Sequence, residues 1–410
     1  MPFKEYARWQ KSTVKHALKI WRVVVISGPR QSGKTTLVKQ IFKKNGTYRT
    51  LDDTDLLNAA MSDPLGFLKH AKGTMVIDEI QKAPLLLPAI KRMVDDNKKP
   101  GQFLVTGSAD IRNLPEVSES LAGRVANIRL RTFSAGEVLE RQPAFFEKAF
   151  ECDWPVQITG YDKEAIIKLA FRGGYPELIK LSDADRRSWH LKYINSLLER
   201  DLREITNIKR HEVMADLLYV LAAWSSKLMD IAGICGKLAV SRPTLESYIN
   251  VLVSLHLFER LGAWVRTDYE KVGRKGKLFA TDTGLMASIL NWRTEDVMLD
   301  SDKSGKIIET FVFNELAAQL DLREGNRFYH YRDRENREID FLIENERGTL
   351  LGIEVKAGSA VSKDDFKHMV WFKHNIVTDR EFIGVVLYTG ENVLSFGPNM
   401  YAVPIAALWS

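Results

Sequence analysis

The chain writes a strand, a tight glycine loop and a helix in one uninterrupted run. Val23-Val24-Val25-Ile26 is followed by Gly28-Pro29-Arg30-Gln31-Ser32-Gly33-Lys34-Thr35 and then by an amphipathic stretch opening Thr36-Leu37-Val38. An apolar strand feeding such a loop into a helix N-terminus constrains the fold to an α/β sheet with a phosphate-binding edge. The glycines let successive backbone N–H groups close around a triphosphate, Lys34 reaches its β and γ phosphates, and the Thr35 hydroxyl can ligate Mg²⁺. Residues Gly28 to Thr36 are therefore the candidate ATP site.

Met75-Val76-Ile77-Asp78-Glu79 reads as a buried strand ending in two adjacent carboxylates. Asp78 is placed to hold Mg²⁺ through water. Glu79 points the other way along the pleat and can polarise an attacking water. The alternative, a strand capped by two solvated acids, is common for an isolated Asp-Glu pair.

Strands and helices alternate around these two motifs. Tyr48 to Leu51, Thr74 to Asp78, Gln102 to Gly107 and Val125 to Leu130 read as strands; Asp63 to Lys72 and Pro84 to Asp95 read as helices. This pattern predicts a parallel sheet covered on both faces. If the strand ending Thr106-Gly107-Ser108 lies between the two motif strands, Thr106 or Ser108 can sense the γ-phosphate; a helix N-cap is the equal alternative.

From Cys152 to Ala223 the text is helical, interrupted by Arg172-Gly173-Gly174-Tyr175-Pro176-Glu177. Helices at Met229 to Cys235 and Pro243 to Leu255 then precede strands at Leu257 to Val265 and Lys277 to Thr281, an order that matches a winged helix-turn-helix. Arg242 and Thr244 on the second helix, with Arg266, Lys271, Arg274, Lys275 and Lys277 about the hairpin, are the candidate DNA contacts. Such modules also bind proteins. A formal net charge of +6 over 410 residues permits a polyanionic partner without requiring one.

The last hundred residues carry different chemistry. Strands at Glu338 to Ile343 and Leu351 to Lys356, joined by a turn at Asn345 to Thr349, would bring Asp340 and Glu354 to one end of a hairpin. Lys356 shares the face of Glu354, and Glu309 lies on the helix running to Leu320. Two carboxylates and an ammonium meet the needs of metal-assisted phosphodiester hydrolysis: Asp340 and Glu354 on Mg²⁺ or Mn²⁺, Lys356 beside the water, Glu309 as an outer ligand. The apolar neighbours Ile339, Phe341, Ile353 and Val355 make such charges costly unless paired or metal-bound.

The two cysteines, Cys152 and Cys235, exclude a disulfide framework and are expected to be buried, reduced thiols. With no apolar stretch long enough to span a bilayer and no charged-then-apolar leader, a cytosolic chain without membrane partners is expected.

Together, Gly28 to Thr35, the Ile77-Asp78-Glu79-Ile80-Gln81 run, Leu121-Ala122-Gly123-Arg124, Gly173-Gly174-Tyr175-Pro176 and the set Glu309, Asp340, Glu354-Val355-Lys356 resemble a large prokaryotic family of AAA+-type ATPases. Its members carry a C-terminal domain with a restriction-endonuclease-like fold. The resemblance implies an AAA+ core at 1–150, a helical lid at 151–223, a winged helix at 224–290 and the nuclease-like domain at 300–410. It also implies that Arg124 is an arginine finger reaching a neighbouring subunit, hence a homo-oligomer such as a hexameric ring, and that Tyr175 and Pro176 sense the nucleotide. Three functions follow as alternatives: an ATPase that binds and remodels DNA, an ATP-regulated metal-dependent nuclease, and a signalling or scaffold ATPase whose nuclease-like domain is non-catalytic.

Overall fold

Five strands, β1 (Val23–Ser27), β2 (Gly46–Thr50), β3 (Thr74–Asp78), β4 (Phe103–Gly107) and β5 (Val125–Arg129), pair in parallel in the order β2-β3-β4-β1-β5. Every residue of β1 and β4 is buried, whereas the edge strands β2 and β5 mix exposed and polar positions. That division follows the sequence, since only the interior strands are continuous apolar runs. Along β1, Val23 and Val25 join one core cluster and Val24 and Ile26 another. The first cluster includes Ala60, Phe67, Leu86 and Ile90; the second includes Val14, Ala17, Leu37 and Val38. Alternate side chains thus bury helices on both faces, as expected of a parallel sheet.

The computed structural model describes residues 6–42, 46–69, 73–108, 121–201, 211–267 and 275–410. They form two units, Met1–Phe133 with Ser254–His256, and Ser134–Val253 with Leu257–Ser410. The first unit ends at Phe133, and the physical reason is where the next apolar residues are buried. Ala135, Phe145, Phe146 and Ala149 share a core with Ile307, Phe311, Phe341, Ile353 and Trp409. The same cluster takes Ile166, Ile167, Leu261 and Phe279, so stretches from 151–223, 224–290 and 300–410 all contribute to it, while a further cluster lies on the other face of the C-terminal sheet.

In this second unit, strands β6 (Phe258–Leu261) and β7 (Lys277–Ala280) pair antiparallel after helices Ile231–Leu238 and Arg242–Ser254. A six-stranded mixed sheet follows, composed of β8 (Arg327–Arg332), β9 (Glu338–Glu344), β10 (Leu350–Lys356), β11 (Phe382–Tyr388), β12 (Leu394–Gly397) and β13 (Met400–Pro404). Its order is β12-β13-β11-β10-β9-β8. The helix Ser301–Leu320 packs Ile307, Ile308, Phe311 and Val312 against one face, while Phe366, Met369 and Phe372 cover the other. Phe279 of β7 stacks on Phe313 of that helix with centroids 4.2 Å apart, tying the hairpin to the sheet. Both cysteines are unpaired, as expected, but they are only partly buried. Among the described residues no helix is long and apolar enough to cross a membrane.

Candidate functional site

The loop after β1 is shaped by two glycines. A Cβ on Gly28 would stand 2.1 Å from the Leu130 carbonyl oxygen, and Gly33 takes φ +94° at the N-terminus of the helix Lys34–Ile41. Either position would clash or strain with a side chain. Lys34 is buried, and its ammonium donates to the Gly28 and Pro29 carbonyls, both at 2.9 Å. Burial pulls its pKa down to about 8, against the pull of the Glu79 and Asp78 carboxylates. Loop carbonyls are weak partners for a buried ammonium, so a phosphate oxygen offered there is a better one. The Ser32 hydroxyl is buried with no hydrogen-bond partner among the described residues. Pro29 is also buried, Arg30 and Thr35 are partly exposed, and Gln31 and Thr36 are exposed.

β4 does lie between β1 and β3, which places Asp78 beside the loop. The Asp78 carboxylate is 3% exposed and is held by neutral hydroxyls: Thr35 Oγ1 donates to Oδ2 at 2.8 Å, Tyr48 Oη donates to the same oxygen at 2.6 Å, and Thr106 Oγ1 donates to Oδ1. A hydroxyl and a carboxylate meeting at the start of the phosphate-loop helix could hold a nucleotide-bound Mg²⁺. Glu79 adopts φ +59°, uncommon for a residue with a side chain, and its N–H faces Thr106 Oγ1 at 3.3 Å. Gln81 Nε2 donates both to Glu79 Oε2 and, at 3.0 Å, to Ser108 Oγ. Thr106 thus spends its hydroxyl on Asp78, and Ser108 is joined to Glu79 through Gln81.

Tyr48 and Gln81 are members of this site that motif reading missed as functional. Tyr48 pairs in register with Val76 on the neighbouring strand. A tyrosine in an otherwise small and polar edge strand was the available signal. Burial first, and then the Asp78 carboxylate, raises its pKa.

Two residues assigned by resemblance have close partners of their own. Arg124 forms a fork with Asp95, Nη2 to Oδ2 at 3.0 Å, and donates to the Ala122 carbonyl at 2.9 Å, so within this chain its contacts are those of an intrachain ion pair. Tyr175 is 1% exposed and enclosed by Trp189, His190 and Tyr193, with centroids 5.1 to 6.0 Å away. Its ring is a core element of the second unit. Pro176 opens the short turn Pro176–Leu178, and the adjacent Gly174 N–H donates to Asp282 at 2.8 Å.

The C-terminal set converges as the hairpin geometry predicts. β9 and β10 pair antiparallel with Phe341 opposite Ile353, and Val355 N–H donates to Asp340 Oδ2 at 3.0 Å. The cluster has an unexpected centre. Lys277 Nζ lies 2.7 Å from Glu338 Oε1, 2.9 Å from Glu309 Oε1 and 3.2 Å from Asp340 Oδ1, with its side chain 2% exposed. Glu338 also pairs with Arg332 at 2.8 Å, and Glu354 with Lys356 at 3.6 Å. Burial draws the Lys277 ammonium down, but three carboxylates outweigh it and hold the pKa well above its ordinary value. Burial likewise pushes Glu309 up to about 7 and Glu354 well above the usual carboxylate range, with Lys277 and Lys356 respectively pulling back. Among the described residues no group of three or more His, Cys, Asp or Glu side chains is arranged to hold a metal ion.

Lys277 is consequently not a DNA contact, because a side chain with its charge buried among carboxylates presents nothing to a phosphate backbone. Lys271 and Arg274 lie outside the described residues. Arg242 is exposed and paired with Glu246 at 2.8 Å, Thr244 Oγ1 meets Ser241 Oγ at 2.8 Å, Arg266 is exposed near Asp379, and Lys275 is exposed. Asp230, Arg242, Glu246, Asn250, Arg260 and Lys275 line a groove of about 580 Å³.

Residues 21–139 match the model of the family described as an AAA domain; residues 163–296 and 304–408 match two families, each described as a domain of unknown function. The Mycobacterium tuberculosis protein named Uncharacterized protein Rv2008c is 28% identical over 385 residues, covering 93% of this chain and 80% of its own. Uncharacterized protein Mb2031c of Mycobacterium bovis gives the same figures. Among solved structures, the Walker-type ATPase PABY2304 of Pyrococcus abyssi is similar at a TM-score of 0.44 and 13% identity, over 70% of this chain and 96% of its own. AMPPCP-bound DnaA from Aquifex aeolicus is similar at 0.30 and 14%, over 59% and 86%. The first unit thus combines a phosphate loop on a parallel five-stranded sheet with a match to the AAA domain family over residues 21–139.

Proposed function

We propose that the chain hydrolyses ATP with Mg²⁺ and works as an oligomeric AAA-type switch that binds and remodels DNA. The hydrolysis rests on one observation above others, the Thr35 hydroxyl set against the Asp78 carboxylate at the mouth of the phosphate loop. In this reading Gly28 to Thr36 cradle the phosphates, and Lys34 trades two loop carbonyls for β and γ phosphate oxygens. Thr35 and Asp78 hold the ion. Bound Mg²⁺ supplies neutralisation of the charge on the β and γ phosphates. Glu79 takes the proton from the attacking water, Gln81 positions it, and Thr106 keeps Asp78 oriented.

Arg124 acts as a finger in this reading by exchanging Asp95 for the phosphate of an adjoining subunit, and a closed ring of six is one arrangement that allows it. Residues 224–290 serve as a winged helix-turn-helix whose groove, with Arg242, Arg260 and Lys275, meets the DNA backbone. Residues 300–410 carry a restriction-endonuclease-like fold, and the cytoplasm is the compartment implied. The filled carboxylate cluster favours a second reading, a signalling or scaffold ATPase with a non-catalytic nuclease-like domain, over the ATP-regulated nuclease.

The deciding experiment measures ATP turnover in Mg²⁺ and Mn²⁺ with and without single-stranded, duplex and branched DNA, following strand integrity in the same samples. Stimulation by one DNA form with intact strands is the expected result. Turnover indifferent to every DNA form selects the scaffold reading; cleavage lost in Asp340→Asn selects the nuclease. Arg124→Ala should reduce hydrolysis and leave ATP binding unchanged.

A further inference from the structure

The chemistry usually assigned to a cluster such as Glu309, Asp340 and Glu354 requires a divalent ion, and the residues present do not fit one. Oxygen ligands approach Mg²⁺ or Mn²⁺ at roughly 2.1 Å and must converge on a common point. Here that point is taken. One oxygen each from Glu309, Glu338 and Asp340 converges on Lys277 Nζ at 2.7 to 3.2 Å. The other oxygens of Glu338 and Asp340 are committed to Arg332 and to the Val355 N–H.

Nor can Lys277 swing aside as a surface lysine would. All four residues of β7 are buried, Leu278 and Phe279 are 0% exposed, and Phe279 is stacked on Phe313 of the same helix that carries Glu309. The ammonium is anchored by the strand it heads. Removing it to admit an ion means withdrawing a buried strand from the core or burying a second cation beside the first, and both are opposed by packing and charge.

We propose that Lys277 is a covalently tethered replacement for the metal ion, so that this carboxylate cluster takes no divalent cation as the chain stands and cleaves no phosphodiester. The cluster is a latent metal site, complete in its oxygen donors and closed by one side chain. The inference concerns the second unit alone and does not depend on ATP hydrolysis in the first.

The test counts bound Mn²⁺ by the loss of its free electron-paramagnetic signal, using the full chain carrying Asp78→Asn so that the nucleotide site contributes little. With Lys277 in place, adding Asp340→Asn should leave the Mn²⁺ count unchanged. Lys277→Met should gain one Mn²⁺ per chain, and the further change Asp340→Asn should remove it. The proposal is overturned if Asp340→Asn lowers the Mn²⁺ count while Lys277 is present, or if folded Lys277→Met gains no ion. Should Lys277→Met fail to fold, Lys277→Ala refolded with and without Mn²⁺ decides in its place. Recovery of the fold only with the ion supports the replacement, and equal failure in both removes it.

Discussion

Two acidic sites in this chain face the same difficulty, a carboxylate held in a buried place, and resolve it in opposite ways. At the phosphate loop, Asp78 is surrounded by the neutral hydroxyls of Thr35, Tyr48 and Thr106. In the C-terminal cluster, Glu309, Glu338 and Asp340 surround the charge of Lys277. Hydroxyl donors stabilise a carboxylate without cancelling its charge, so an arriving cation still gains its full attraction. An ammonium cancels it beforehand. The difference teaches that a motif's acids report where charge is concentrated, while the partners of those acids decide whether a metal can use it.

The comparison breaks most visibly at Glu79. Glu79→Gln is expected to slow ATP hydrolysis by roughly 10²- to 10⁴-fold, the range for loss of a general base, with nucleotide affinity held. Equal turnover by the two forms, measured by phosphate release, would remove Glu79 from the chemistry and leave the phosphate-loop site as a binding site only.

Lys277→Met addresses the other side. Leaving three partly buried carboxylates without their buried counter-charge should cost up to about 3–5 kcal/mol of stability, read as a lower urea midpoint. A cost below about 1 kcal/mol would mean the cluster is solvated, and the contrast with Asp78 would fail.

Glu315 supplies a control, a 2% exposed carboxylate whose Oε1 accepts the Ala135 N–H at 2.7 Å and whose Oε2 has no hydrogen-bond partner among the described residues. Burial pushes its pKa from an ordinary 4.5 up to about 7. The folded chain therefore binds the proton more tightly than the unfolded chain. Stability contributed by the protonated form is fully present below pH 4.5, falls as pH rises, and has gone above about 7, a loss of about 3 kcal/mol. Glu315→Gln keeps the acceptor for Ala135 and should flatten that part of the profile in urea titrations from pH 5 to 8. A slope unchanged from the parent would assign the dependence to other groups.

The smallest effect is expected from Tyr48→Phe, which takes one of three hydroxyls from Asp78. A loss of about 1 kcal/mol and a few-fold rise in the Mg²⁺ needed for half-maximal turnover are expected. A large loss of turnover would make Tyr48 more than a hydrogen-bond donor.

What could be read in the sequence was local. The phosphate loop and the Asp78-Glu79 strand are contiguous, and their strand-to-helix setting is written beside them. The β9–β10 hairpin was legible for the same reason, its two apolar strands being separated by a short polar turn. The position of β4 between β1 and β3 was a stated condition, met by the observed order. Lys277 was misassigned because it stands near Lys271, Arg274 and Lys275 in the chain, and its partners are 32 to 63 residues away. One local clue existed: Leu278-Phe279-Ala280 immediately follows it, so the lysine opens a strand too apolar for a surface wing. The helix Thr54–Ser62 was overlooked because its N-cap Asp53 sits among other polar residues. Which apolar faces share a core was least legible, since hydrophobic periodicity says that a face is covered and not by what.

The core cluster that joins Phe145 to Trp409 carries a consequence for how the chain is made. Phe145, Phe146 and Ile166 bury against Leu408 and Trp409, more than two hundred residues later. At synthesis rates of roughly 5–20 residues per second, those early apolar faces wait on the order of 10–50 s for their partners to leave the ribosome. Residues Val23–Val105 of the first unit find their sheet partners much sooner. Newborn chains should therefore hold a finished nucleotide-binding sheet ahead of a long, sticky, incomplete tail, a form that invites chaperone capture.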